Sequence, residues 1–111
     1  MFQPRLEQHI YPSPVGKIVC VGRNYAAHAA ELNNPIPTAP ILFIKPADAA
    51  CPLGPVFSVP QDMGSVHHEL EIAILIGETL SHASEETVLA SLAGVGIGLD
   101  LTLRDVQDGL K

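Results

Sequence analysis

Between Val66 and Ile76 the chain alternates between polar and aliphatic side chains. His67, Glu69, Glu71 and Ala73 fall at one parity, and Leu70, Ile72, Ile74 and Ile76 at the other. Successive strand residues point to opposite faces, so the pattern predicts a strand with an acid face and an aliphatic face. A helix through the same residues would set Glu69 and Glu71 about 200° apart and scatter the aliphatics. Residues 95–103 alternate in the same way, with Val95, Ile97, Leu99, Leu101 and Leu103 against Gly96, Gly98, Asp100 and Thr102. That predicts a second strand whose other face is small and carries one carboxylate. Between the two, Ser84 predicts a helix N-cap, with Glu85 and Glu86 complementing the dipole in the first turn. Val88, Leu89 and Leu92 supply its apolar stripe, and Gly94 its end.

The first half is more broken. Residues 17–21 have the β-branched composition of a short strand closed by Gly22. Asn24 predicts the cap of an alanine-rich helix over residues 25–32, which Asn33, Asn34 and Pro35 end. Residues 41–44 again have strand composition, and the Pro46 that follows Lys45 withholds a ladder donor. The elements together predict an α+β chain rich in β-structure.

Composition narrows the class. At 111 residues the chain is one domain's length, predicted to span 1–111, and 47% hydrophobic against 16% charged residues is a composition that folds. A formal charge of −6 with six Lys and Arg excludes a phosphate-binding surface, and so nucleic-acid partners. All ten prolines lie within residues 1–60, whereas most of the acids follow residue 60. Cys20 and Cys51 are too few to staple a secreted domain and are expected reduced. No apolar run approaches the roughly 20 residues a bilayer requires, so a cytoplasmic protein without a membrane partner is expected.

Chemistry concentrates on the acid face. Same-face carboxylates at i and i+2 of a strand lie about 6–7 Å apart, close enough to converge on one hard cation. With Asp100 on a glycine-cleared strand, Glu69 and Glu71 form the oxygen-rich set that suits Mg²⁺ or Mn²⁺. The plainer alternative is the solvated face of an edge strand. His28 and Glu31, at i and i+3, form either a surface contact or a base with its orienting carboxylate. Arg104 and Gln107 could clamp a carboxylate, or Arg104 could pair with Asp105 or Asp108. Gly94, Gly96 and Gly98 fall inside a strand pattern with no following fingerprint, which excludes a dinucleotide loop.

Four ordered motifs resemble the fumarylacetoacetate hydrolase family: Lys17-Ile-Val-Cys-Val-Gly-Arg-Asn-Tyr-Ala-Ala-His28, Leu42-Phe-Ile-Lys-Pro46, the segment Val66–Ile76 with Gly77, and Gly98-Leu-Asp-Leu-Thr-Leu-Arg-Asp-Val-Gln107. The match is strongest to its small bacterial members and to the acylpyruvate hydrolase and oxaloacetate decarboxylase branch. The resemblance implies a mixed β-roll and a homodimer. It implies Mg²⁺ or Mn²⁺ on Glu69, Glu71 and Asp100, and a water-activating dyad of His28 and Glu31 on a lid helix. Arg104 and Gln107 would hold the oxo acid, with Arg23, Tyr25 and Lys45 bordering the site as substrate-binding residues. Family members run to roughly twice this length, the size of an ordinary domain, and their second half carries a catalytic lysine and a Thr-Gly-Thr-Pro loop. The chain is therefore expected to be a truncated, N-terminal part of the catalytic domain. The activity implied is hydrolysis of a carbon–carbon bond in 2,4-dioxo acids such as acylpyruvates. Oxaloacetate decarboxylation and hydroxydienoate isomerisation are alternatives on the same metal site. A truncated, non-catalytic binding or assembly module is the alternative of another class.

Overall fold

A computed structural model describes residues 1–7, 9–24 and 38–110. The chain forms two compact units, Met1–Pro55 and Val56–Lys111. The helix expected over residues 25–32, and with it Tyr25, His28 and Glu31, lies outside the described residues.

In the first unit, β1 (Arg5–Leu6) and β2 (His9–Ile10) make a short antiparallel hairpin that the sequence pattern did not signal. Its turn holds Glu7 at φ 50°. Tyr11 N–H donates to the Pro4 carbonyl at 2.8 Å and Val15 N–H to that of Phe2 at 2.9 Å, which ties the chain start back on itself. The strand expected over residues 17–21 is β3 (Ile18–Gly22), and the one over 41–44 is β4 (Ile41–Lys45). They pair antiparallel, from Ile18 opposite Lys45 to Gly22 opposite Ile41. Gly22 is thus the last paired residue, and the chain turns away at Arg23 with φ 52°. Pro46 ends β4, and a single 3₁₀ turn, Ala47–Ala49, follows it. Cys20 and Cys51 form no disulfide.

The second unit is built on one long ladder. β5 (Val66–Ile76) coincides with the alternating segment, and it pairs antiparallel with β6 (Leu92–Leu103). The helix α1 (Glu85–Ala90) starts where Ser84 predicted, and the Ser84 Oγ accepts from Thr87 N–H at 3.2 Å. It stops earlier than expected. Ser91, the buried polar side chain of this region, donates from Oγ to the Thr87 carbonyl at 2.8 Å, and its N–H bonds the Thr87 and Val88 carbonyls. Leu92 and Gly94, expected to belong to the helix and its end, instead pair with Ile76 and Leu75 in the ladder, across a register irregularity at Leu75/Ile76. A strand extends as far as its partner offers hydrogen bonds, and β5 still offers them there. α2 (Arg104–Leu110), not anticipated from the sequence, leaves β6 without an intervening loop.

The register sorts the two faces of this ribbon. Leu70, Ile72 and Ile74 lie opposite Leu99, Ile97 and Val95 on the aliphatic face, while Glu69 lies opposite Asp100 and Glu71 opposite Gly98 on the other. Coverage is the reverse of an ordinary amphipathic strand. Ile72 is 66% and Ile97 71% exposed, yet the Glu69 side chain keeps only 26% of its surface. The described residues are β-rich with few helices, as the α+β expectation held, and a two-stranded ribbon of this kind is marginal in water by itself.

Candidate functional site

The acid face gathers its groups through the ladder. Directly opposed residues in an antiparallel pair have Cβ atoms about 4.5–5.5 Å apart, so the register brings Glu69 and Asp100 within side-chain reach although 31 positions separate them in sequence. Glu71 sits one same-face step along β5, opposite Gly98, and His67 one step the other way, opposite Thr102. Gly98 and Gly96 keep this end open. A Cβ added at Gly96 would meet nothing within 4 Å, and one at Gly98 only the Ala73 Cβ at 3.8 Å.

Two carboxylates facing each other across a ladder repel, and Arg104 supplies the compensating charge. Its Nη2 lies 2.9 Å from Glu69 Oε1, and its Nη1 donates to Gln107 Oε1 at 3.1 Å. The Arg104 side chain is only 12% exposed, and its Nε is buried with no hydrogen-bond partner among the described residues. Asp105, one of the partners considered for Arg104, is engaged elsewhere, since its Oδ2 accepts from Ser65 N–H at 3.0 Å. Arg104 N–H in turn donates to the Ser65 carbonyl at 3.0 Å. These two bonds clamp the start of α2 to the residue preceding β5, and so fix where Arg104 leaves the backbone. The clamp needs Gly64, which has φ 81° and on which a Cβ would strike the Asp105 carboxylate.

The groups proposed from the sequence are thus distributed unevenly. Glu69, Glu71, Asp100, Arg104 and Gln107 all belong to the second unit, and the first three share one face. Among the described residues no three His, Cys, Asp or Glu side chains converge as a cation site would require, and Glu69 is drawn to Arg104. The donor set nevertheless fits a hard cation in chemistry, being all oxygen, partly covered and flanked by glycines. Arg23 and Lys45 lie in the first unit, at the turn after β3 and the end of β4. Gly64 and Ser65 are the residues that reasoning from sequence missed, and Asp105, considered there as a partner of Arg104, serves instead in their clamp. The usable signal was a glycine just before a strand, since conformational freedom there points to a tight turn. Among the described residues no helix is long and apolar enough to cross a membrane.

The chain belongs to the fumarylacetoacetate hydrolase family, whose model, described as "Fumarylacetoacetate (FAA) hydrolase C-terminal", matches residues 17–111. It is 55% identical over 98 residues to the oxaloacetate tautomerase YcgM of Escherichia coli, an alignment that takes in 88% of this chain and 45% of that protein. It is also 39% identical over 94 residues to the human mitochondrial oxaloacetate tautomerase FAHD1, covering 85% of this chain and 42% of the relative. Among solved structures, a protein from Oleispira antarctica described as "a putative fumarylacetoacetate isomerase/hydrolase" superposes with TM-score 0.96 at 72% identity, over 99% of this chain and 49% of that one. The chain therefore spans about half the length of the relatives it matches.

Proposed function

We propose that the protein is an oxaloacetate tautomerase, interconverting the keto and enol forms of this oxo acid at a divalent cation held by Glu69, Glu71 and Asp100. The observation that carries the reading is the 55% identity to an oxaloacetate tautomerase across 88% of the chain. It favours the oxaloacetate branch over hydrolysis of 2,4-dioxo acids, the activity the sequence motifs first suggested. Relatives from Arabidopsis thaliana and Bos taurus, 41% and 45% identical, carry the same name.

The site chemistry is compatible with this reading. Mg²⁺ or Mn²⁺ on the three carboxylates would supply Lewis-acid polarisation of the oxo group. Tautomerisation moves one proton between the carbon beside the carbonyl and the carbonyl oxygen, so no carbon–carbon bond breaks and no water is consumed. Arg104 and Gln107, side by side at the start of α2, offer N–H donors to a substrate carboxylate, an anion that arginine binds well. His28, with Glu31 as its proposed partner, is the proposed group that takes and returns the proton, a role that suits an imidazole.

Enol-oxaloacetate loses its ultraviolet enol band as it ketonises, and the decay can be followed with the chain and Mg²⁺ present. The expected result is a decay faster than with Mg²⁺ alone, with the gain abolished by Asp100→Asn. Cleavage of an acylpyruvate with no acceleration of the enol decay would restore the hydrolase reading. Absence of both activities would refute catalysis by this chain.

A further inference from the structure

The geometry points to Arg104 as an exchangeable counter-cation: its guanidinium holds Glu69 while no divalent cation is bound, and a cation arriving on the carboxylate face displaces it. The inference rests on the cation reading above and adds to it a competition within the protein. Glu69 faces Asp100 across the ladder and stands one same-face step from Glu71, so negative charge gathers on this face and a nearby cation stabilises it. Arg104 provides it at 2.9 Å.

Two features mark the arrangement as exchangeable rather than merely structural. The root of Arg104 is fixed independently of its tip. The backbone bond to Ser65 and the clamp between Asp105 and Ser65 position the residue whether or not the guanidinium pairs with Glu69. The seat is also imperfect, because Nε is buried with no partner among the described residues, and a buried donor left unpaired is unfavourable. The charge pair therefore keeps the guanidinium in place, and supplying that charge by another route removes the reason to stay. Gln107, already hydrogen-bonded to Nη1, keeps hold of the displaced group. Released, the guanidinium faces the site with open donors, so cation binding prepares the site for an anionic substrate.

The test is uptake of Mn²⁺ by the chain, measured by isothermal titration and by the loss of the free-ion electron paramagnetic resonance signal. Arg104→Gln removes the competitor and is expected to bind Mn²⁺ about two- to fivefold more tightly, the factor a partly exposed ion pair is worth. Arg104→Lys keeps the charge but not the planar fork and is expected to fall between the wild type and Arg104→Gln. Affinity in Arg104→Gln that is unchanged or weaker overturns the exchange and makes Arg104 a structural support for Glu69. Absence of Mn²⁺ uptake by both wild type and Arg104→Gln overturns the cation site itself. Should Arg104→Gln fail to fold by circular dichroism, the wild type still decides. The Arg104 guanidinium ¹⁵N–¹H signals are expected to shift with the midpoint of Mg²⁺ binding, and signals that stay in place through saturation overturn the exchange.

Discussion

Replacing Gly64 with alanine tests whether the clamp at the start of α2 is as tight as its geometry. Gly64 has φ 81°, a conformation that costs an L-residue about 1–2 kcal/mol. The new Cβ would fall on the Asp105 carboxylate oxygen, with the Asp105 Cβ and Cγ each 3.1 Å away. Asp105 must then swing out and give up its bond to Ser65 N–H, an exposed charge-assisted bond worth about 1 kcal/mol. The reduced entropy of the unfolded alanine chain returns about 0.5 kcal/mol. The net expectation is a loss of about 2 kcal/mol in the wild-type background. Asp105→Ala already lacks both the carboxylate and its bond, so there Gly64→Ala should cost only the backbone part, about 1 kcal/mol. A double-mutant cycle by urea unfolding therefore predicts a coupling of about 1 kcal/mol between positions 64 and 105. Equal losses in the two backgrounds would refute the clamp, and so would a Gly64→Ala variant as stable as the wild type.

Other changes follow from single contacts. Ser84→Ala removes the acceptor for Thr87 N–H and is expected to cost about 1 kcal/mol, read most directly as faster amide exchange at Thr87 while β5 amides are unaffected. Ile72→Thr alters a side chain that is 66% exposed and should leave the unfolding free energy of this chain within about 0.5 kcal/mol, while lowering the binding of an apolar dye. A loss above about 1 kcal/mol would mean that the aliphatic face is packed after all.

Much of the local structure was legible from short-range pattern. The alternation from His67 to Ile76 specified β5, because the strand period of two is a property of the chain and needs no partner to be seen. Ser84 followed by two glutamates specified the start of α1 for the same kind of local reason. The end of that helix was not legible. Leu92 and Gly94 suit a helix stripe and a helix stop, but β5 had unpaired groups to offer them, and ladder bonds to a neighbouring strand decide such a boundary. The helix at Arg104 was missed because Asp105, Val106 and Gln107 carry little periodicity in so short a segment.

The site divides along the same line. The sequence by itself determined which residues carry charge, which face of each strand they occupy and the family to which the chain belongs. Tertiary structure decided who meets whom. Register placed Asp100 opposite Glu69, and a one-residue slip would have turned it to the aliphatic face. It also gave Arg104 a partner 35 positions away rather than the neighbouring Asp105, which the turn at Gly64 had already engaged. Such pairings depend on where a second strand comes to rest, and no local window of sequence contains that information.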